Sequence, residues 1–202
     1  MADNQTNIPL PSLGRQRLGL CAVKRVLAQY SDVHSHDTTR AHDGDTVVSI
    51  GPGDAVEPGG TYSVGIHPWN TLREPTLSEL KALVRLARMR EVVAIGECGF
   101  DKLRGGPAES QERVFDFHAR LAERLGKPLI IHAVKSDDRL AAAIKCHRPT
   151  VEWIIHGYRG NVTRARALVA LGYSLSLGRR HNPAVAESIP PARLYRESDA
   201  QP

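Results

Sequence analysis

The chain has 202 residues, enough for one domain with a sizeable core, and its 41% hydrophobic and 24% charged residues are ordinary for a globular protein. No apolar run approaches the roughly 18 residues that a membrane-spanning helix needs, and the start of the sequence lacks the basic stretch and apolar core of a secretory signal. A formal net charge of +5 favours an anionic substrate without demanding one.

Cys21, Cys98 and Cys146 are odd in number and widely spaced, which argues against a disulfide framework and for a reducing cytoplasm. Residues 1–15 are rich in Asn, Gln and Pro and read as a disordered arm. From 16 to 30, Leu20, Val23, Val26, Leu27 and Tyr30 recur at helical spacing opposite Lys24, Arg25 and Gln29, which predicts an amphipathic helix. The rest, through 202, reads as a single barrel-like unit.

Beyond residue 30, apolar runs predict strands at 32–36, 46–50, 61–66, 92–96, 128–132, 152–156, 173–177 and 193–197. The connections at 37–45 and 51–60 are rich in Gly, Asp and Pro and read as loops. Later connections are helical. Leu77, Leu80, Leu83, Val84 and Ala87 make one face, and Val114, Phe117, Leu121 and Leu125 make another. Further helices are expected at 137–147 and 163–171, the latter stopped by Gly172. Strands that are continuous apolar runs alternating with helices predict an α/β fold with a parallel sheet closed into a (β/α)8 barrel, small against the roughly 250 residues usual for it. An open α/β sheet is the alternative.

The stretch Asp32-Val33-His34-Ser35-His36 places two imidazoles on one face of a strand end, since strand side chains alternate. Two such histidines make a ready pair of metal ligands. Glu97, His132 and His156 end further strands, and Asp199 follows the last. Barrel active sites are assembled at those strand ends, so four histidines and two carboxylates fall on one edge. Imidazoles suit Zn²⁺ or Mn²⁺, a carboxylate can bridge two ions, and such a pair brings bound water near neutrality. Taken one by one, each residue also has a bland reading, as a buried strand-end histidine, a turn cap or a frayed-tail carboxylate.

The motifs together resemble the TatD family of metal-dependent hydrolases, in its compact bacterial form. The matching stretches are Asp-Val-His-Ser-His (32–36), Tyr-Ser-Val-Gly-Ile-His-Pro-Trp (62–69), Ala-Ile-Gly-Glu-Cys-Gly-Phe-Asp-Lys (94–102) and Gln111 to Asp138 around Pro-Leu-Ile-Ile-His-Ala-Val-Lys. Trp-Ile-Ile-His-Gly-Tyr-Arg-Gly-Asn (153–161), Gly-Tyr-Ser-Leu-Ser-Leu-Gly (172–178) and Arg-Glu-Ser-Asp (196–199) complete them.

The resemblance implies a distorted amidohydrolase-type barrel. It also implies two divalent ions (Zn²⁺, Mn²⁺ or Mg²⁺) held by His34, His36, Glu97, His132, His156 and Asp199. Glu97 is expected to bridge them, and Asp199 to bind metal and help activate water. His67 is expected near the site without touching metal, and Lys135 and Arg159 beside a substrate phosphate. His42, His118, His147 and His181 match no ligand position and read as surface or helix residues, and Cys98 reads as a small core residue.

The implied activity is hydrolysis of phosphodiesters, as in a deoxyribonuclease, on single-stranded DNA or a small phosphodiester. Two alternatives stay open: amide or ester hydrolysis, including deacylation of aminoacyl-tRNA, and a non-catalytic barrel with an impaired site. His34-Ser35-His36 followed by Asp43-Gly44 superficially resembles the PHP phosphoesterases, but the Gly-Ile-His-Pro and Gly-Glu-Cys-Gly stretches favour TatD. With 5% aromatic residues and no base-reading motif, sequence-specific nucleic-acid recognition is not expected. Family members carry a final helix after the eighth-strand aspartate, and the sequence ends at Pro202. The helix at 16–30 is therefore expected to cover the seam between the last strand and the first.

Overall fold

The computed structural model of the protein describes residues 25–200. Eight strands lie in sequence order in one sheet: β1 (Asp32–Ser35), β2 (Thr46–Ile50), β3 (Tyr62–Val64), β4 (Val92–Asp101), β5 (Leu129–Val134), β6 (Trp153–Ile155), β7 (Ser174–Leu177) and β8 (Leu194–Arg196). Every neighbouring pair is parallel, which requires a crossover between consecutive strands. Helices α1 (Leu77–Ala87), α2 (Ala108–Leu125), α3 (Asp137–His147) and α4 (Val162–Leu171) supply the crossovers between β3 and β7. The first two crossovers are loops, as their Gly, Asp and Pro content predicts, the first carrying a 3₁₀ turn at Thr38–Arg40.

Local signals set the helix ends. Thr76 and Glu79 form a reciprocal capping box at the start of α1. Asn161 caps α4, which Gly172 ends in a left-handed conformation. A short helix, α5 (Pro183–Ser188), was not expected from the pattern, although Asn182 caps it and Pro183 occupies its first turn.

The seam between β8 and β1 is closed at the upper, C-terminal end by the residues after β8. Asp199 N–H donates to the His34 carbonyl at 3.0 Å, and His36 N–H to that of Ala200 at 2.8 Å. The Ser198 N–H donates to Asp32 Oδ1 at 2.9 Å. Asp199 is thus laced to the first strand by backbone, beside the two histidines it must meet.

The expected helix over 16–30 is corrected where the structure describes it. Residues 16–24 and the arm at 1–15 lie outside the described residues, and Val26–Gln29 form a 3₁₀ turn. Leu27 is fully buried against Val33, Val47, Ala94, Ile130, Ile154 and Tyr195, which precede the functional residues on their strands. Those are interior barrel positions, so the segment plugs the barrel floor where seam cover was expected. Arg25 fixes it there, donating to the Tyr195 hydroxyl at 3.2 Å and the Leu194 carbonyl at 3.0 Å. A tight turn drives one side chain into a narrow floor, which a continuing α-helix lying on the wall could not do.

Candidate metal centre at the barrel mouth

The four expected ligand histidines converge on the Glu97 carboxylate, at the C-terminal edge of the sheet. Oε2 stands 3.3 Å from His34 Nε2 and 3.4 Å from His36 Nε2. Oε1 stands 2.8 Å from His132 Nδ1, 2.7 Å from His156 Nε2 and 3.1 Å from His67 Nε2. The two oxygens therefore divide the imidazoles between them. Asp199 Oδ1 lies 3.9 Å from His34 Nε2, and Arg159 Nη2 lies 3.8 Å from Asp199 Oδ2.

Glycines let the backbone come this close. Gly96 has φ +127°, and a Cβ there would sit 2.4 Å from the Ile130 carbonyl oxygen. A Cβ on Gly65, in the Gly-Ile-His-Pro stretch, would sit 2.4 Å from the Glu97 carbonyl oxygen.

The electrostatics follow from burial. Burial alone would push the Glu97 carboxyl up, but the opposing His156 charge, the hydrogen bonds from His132 and His156 and the close approach of His34 hold it well below the usual carboxylate range. Burial would lower His156, and the charge of Glu97, with Glu197 behind it, carries it well above the usual imidazole range. Burial dominates at His67 and lowers it, against the pull of Glu97. A buried carboxylate thus demands positive charge beside it, from protons or from cations.

The donor set fits divalent cations. Three clusters have ligand atoms all within 4.8 Å of one another: His34, His36 and Glu97; His67, Glu97 and His132; and His34, His156 and Asp199. Neither ring nitrogen of the fully buried His34 makes a hydrogen bond among the described residues, and His156 Nδ1 makes none. Imidazoles crowded at this distance around one carboxylate are borderline nitrogen and hard oxygen donors, suited to Zn²⁺ or Mn²⁺.

Residues outside this ring fix it. The Asp101 Oδ2 atom faces His132 Nε2 at 3.2 Å and accepts from Trp69 Nε1 at 2.7 Å. Its Oδ1 accepts from the Leu103 and Arg104 amides. Burial would raise Asp101, but these donors, Trp69 first, keep it below the usual carboxylate range. Glu197 Oε1 accepts from the Gly157 amide at 2.6 Å and stands 3.7 Å from His156 Nδ1. His118, buried inside α2, accepts from the Ile66 amide at Nε2 (2.9 Å) and donates from Nδ1 to the Val114 carbonyl (2.7 Å). It thereby pins the loop that carries His67.

The sequence assigned no role to Asp101 or Glu197, although both stand inside the quoted stretches. It placed His118 among surface or helix residues; it is a helix residue with no exposure. Its signal was present, four residues after Val114 on the same face. His67 reaches Glu97 as closely as the expected ligands do. Lys135 is exposed at a left-handed turn after β5, and Arg159 is exposed after β6.

Above the ring opens a cavity of about 430 Å³. Its walls include Ser49, Asp54, Trp69 and Asn70 as well as His36, His67, Glu97, His132, His156 and Asp199, while Lys135 and Arg159 stand outside the lining. Cys98 is fully buried, and burial pushes its thiol well up, as befits a core residue.

A family model described as TatD related DNase matches residues 53–201. The metal-dependent hydrolase YjjV of Escherichia coli K12, described as uncharacterized, is 30% identical over 148 residues, covering 68% of this chain and 57% of that protein. The 3′-5′ ssDNA/RNA exonuclease TatD of Pantoea vagans is 35% identical over 160 residues, covering 71% and 59%. This chain thus spans under three fifths of the length of either relative. The crystal structure of the E. coli YjjV TatD homologue superposes with a TM-score of 0.65 at 23% identity, covering 86% of this chain and 80% of that one. A TatD family hydrolase from Entamoeba histolytica gives 0.68 at 18% identity, covering 85% and 73%. At those identities the likeness establishes the barrel fold. Among the described residues no helix is long and apolar enough to cross a membrane.

Proposed function

Because the chain belongs to the TatD related DNase family, we propose that it is a metal-dependent phosphodiesterase acting on single-stranded nucleic acid. The observation that carries this reading is the division of the imidazoles between the two oxygens of Glu97. Two divalent ions of the Zn²⁺, Mn²⁺ or Mg²⁺ kind would be held there, with His34 and His36 on one side of Glu97 and His132 and His156 on the other. Asp199 would add a ligand beside His34. Ions so held supply charge that polarises a phosphoryl oxygen and acidifies a water.

The chain's own groups do the rest. Glu97 stays ionised and holds the imidazoles in place. Asp199 stands partly open on the cavity wall and takes the proton of the attacking water at a carboxylate oxygen. Arg159, beside Asp199, and Lys135, on the next loop, bind the substrate phosphate, with His67 on the cavity wall. The relative from Pantoea vagans, named a 3′-5′ ssDNA/RNA exonuclease, supports the choice of a single-stranded substrate.

The test is a panel. Protein stripped by chelator and reloaded with Mn²⁺, Mg²⁺ or Zn²⁺ is assayed on single-stranded DNA, bis(p-nitrophenyl) phosphate and an aminoacyl ester. The reading expects metal-dependent cleavage of both phosphodiesters, with Glu97→Gln and Asp199→Asn each losing most of the rate. Cleavage that survives complete chelation, or turnover of the aminoacyl ester alone, would overturn it.

A further inference from the structure

Trp69 is the one aromatic side chain in the cavity wall that is also substantially exposed, at 43%. An exposed indole at the mouth of a polar site is costly to leave facing water, and here it is held rigidly. Its Nε1–H donates to the buried Asp101 at 2.7 Å, and its backbone N–H donates to His67 Nδ1 at 3.1 Å. The Arg104 guanidinium lies over the ring, 4.6 Å from its centre. The Trp69 ring centre is 4.7 Å from that of His67 and 6.0 Å from that of His132. One imidazole therefore separates the indole from Glu97.

We propose that Trp69 and Arg104 form a stacking platform for a nucleobase of the substrate strand, one nucleotide's reach from the phosphodiester held over Glu97. The inference rests on the phosphodiesterase reading and adds the group that would select nucleic acid over other phosphodiesters. Indole and guanidinium planes stack on bases without reading their edges, because every base has a π face. This suits a chain whose sequence shows no base-reading motif. Charge continues the path: Lys135, Arg159, Arg179 and Arg180 are exposed on the successive loops after β5, β6 and β7, beyond Arg104 after β4. A backbone whose base rests on Trp69 can run along that positive side.

The chain supplies its own reporter. It has two tryptophans, and the other, Trp153, is 1% exposed, so a base-dependent change in emission reports Trp69. The full chain is titrated with an eight-residue oligothymidylate and with an abasic oligomer of equal length, reading tryptophan emission and the anisotropy of a labelled strand. The platform predicts quenching by the base-bearing strand and not by the abasic one. It also predicts that Trp69→Leu weakens binding of the base-bearing strand roughly 5- to 150-fold more than binding of the abasic one, the range for loss of one stacked base.

Trp69→Leu also removes the donor to Asp101, so Arg104→Ala, which keeps that hydrogen bond, is the second variant. It should weaken the base-bearing strand several-fold more than the abasic one, which loses only the charge of Arg104. Equal weakening of both strands in both variants, or quenching by the abasic strand, would overturn the platform while leaving the hydrolase reading intact. Base-dependent quenching without cleavage under any metal would support the platform and count against the hydrolase reading.

Discussion

Asp101 and His132 meet at 3.2 Å, Oδ2 to Nε2, on the side of the imidazole away from Glu97. Because Asp101 is held ionised, it accepts at Oδ2 and favours the N–H on His132 Nε2, so that with a cation beside Glu97 the Nδ1 lone pair is free to face that cation. This is how a carboxylate behind a ligating histidine fixes tautomer and ring orientation. Asp101→Asn should therefore weaken metal binding about 10- to 100-fold, read by competition against a chromogenic chelator. Unchanged affinity would reduce Asp101 to a turn former for the Leu103 and Arg104 amides.

His118 gives a pH dependence whose sign can be worked out. Burial lowers its pKa from the ordinary 6.5 to about 4, opposed by its bond to the Val114 carbonyl. Between those values the unfolded chain takes up a proton that the folded one refuses, so stability is lost as pH falls from 6.5 toward 4. The shift corresponds to about 3 kcal/mol. His118→Gln keeps an acceptor for the Ile66 amide and removes the titration. Urea unfolding from pH 7 to 4.5 should show a flatter stability profile in the variant than in the parent. Equal slopes would mean that His118 is not buried as neutral imidazole.

Leu27 tests the floor of the barrel. A fully buried leucine truncated to alanine costs about 2–5 kcal/mol, so Leu27→Ala should shift the urea midpoint strongly with an unchanged slope. Val26, 38% exposed in the same turn, is the control, and Val26→Ala should move the midpoint little. Equal small effects would mean that the turn does not plug the barrel.

These residues also show how far the sequence could be read. Its eight strands were legible as apolar runs, and the six ligand candidates as residues at or just after strand ends, inside motifs whose neighbours are spaced for them. Asp101 and Glu197 were visible as letters and not as partners. What gives them a role is His132, 31 positions from Asp101, and Gly157, 40 from Glu197, brought close only by barrel closure. The apolar spacing from Leu20 to Tyr30 carried an α-helical signal, and tertiary packing overrode it at Leu27, where one side chain filling the barrel interior outweighs propensity. His67 was expected beside the site, and only the close approach at Gly65 brings it to Glu97.

The central claim is that Glu97 separates two cation positions. Crystals equilibrated with Mn²⁺ or Zn²⁺ and measured at the metal's absorption edge test it directly. The account predicts two anomalous peaks, one between Glu97 Oε2 and His34 with His36, the other between Oε1 and His132 with His156. A single peak on one side of the carboxylate, or no peak within reach of it, would contradict the account.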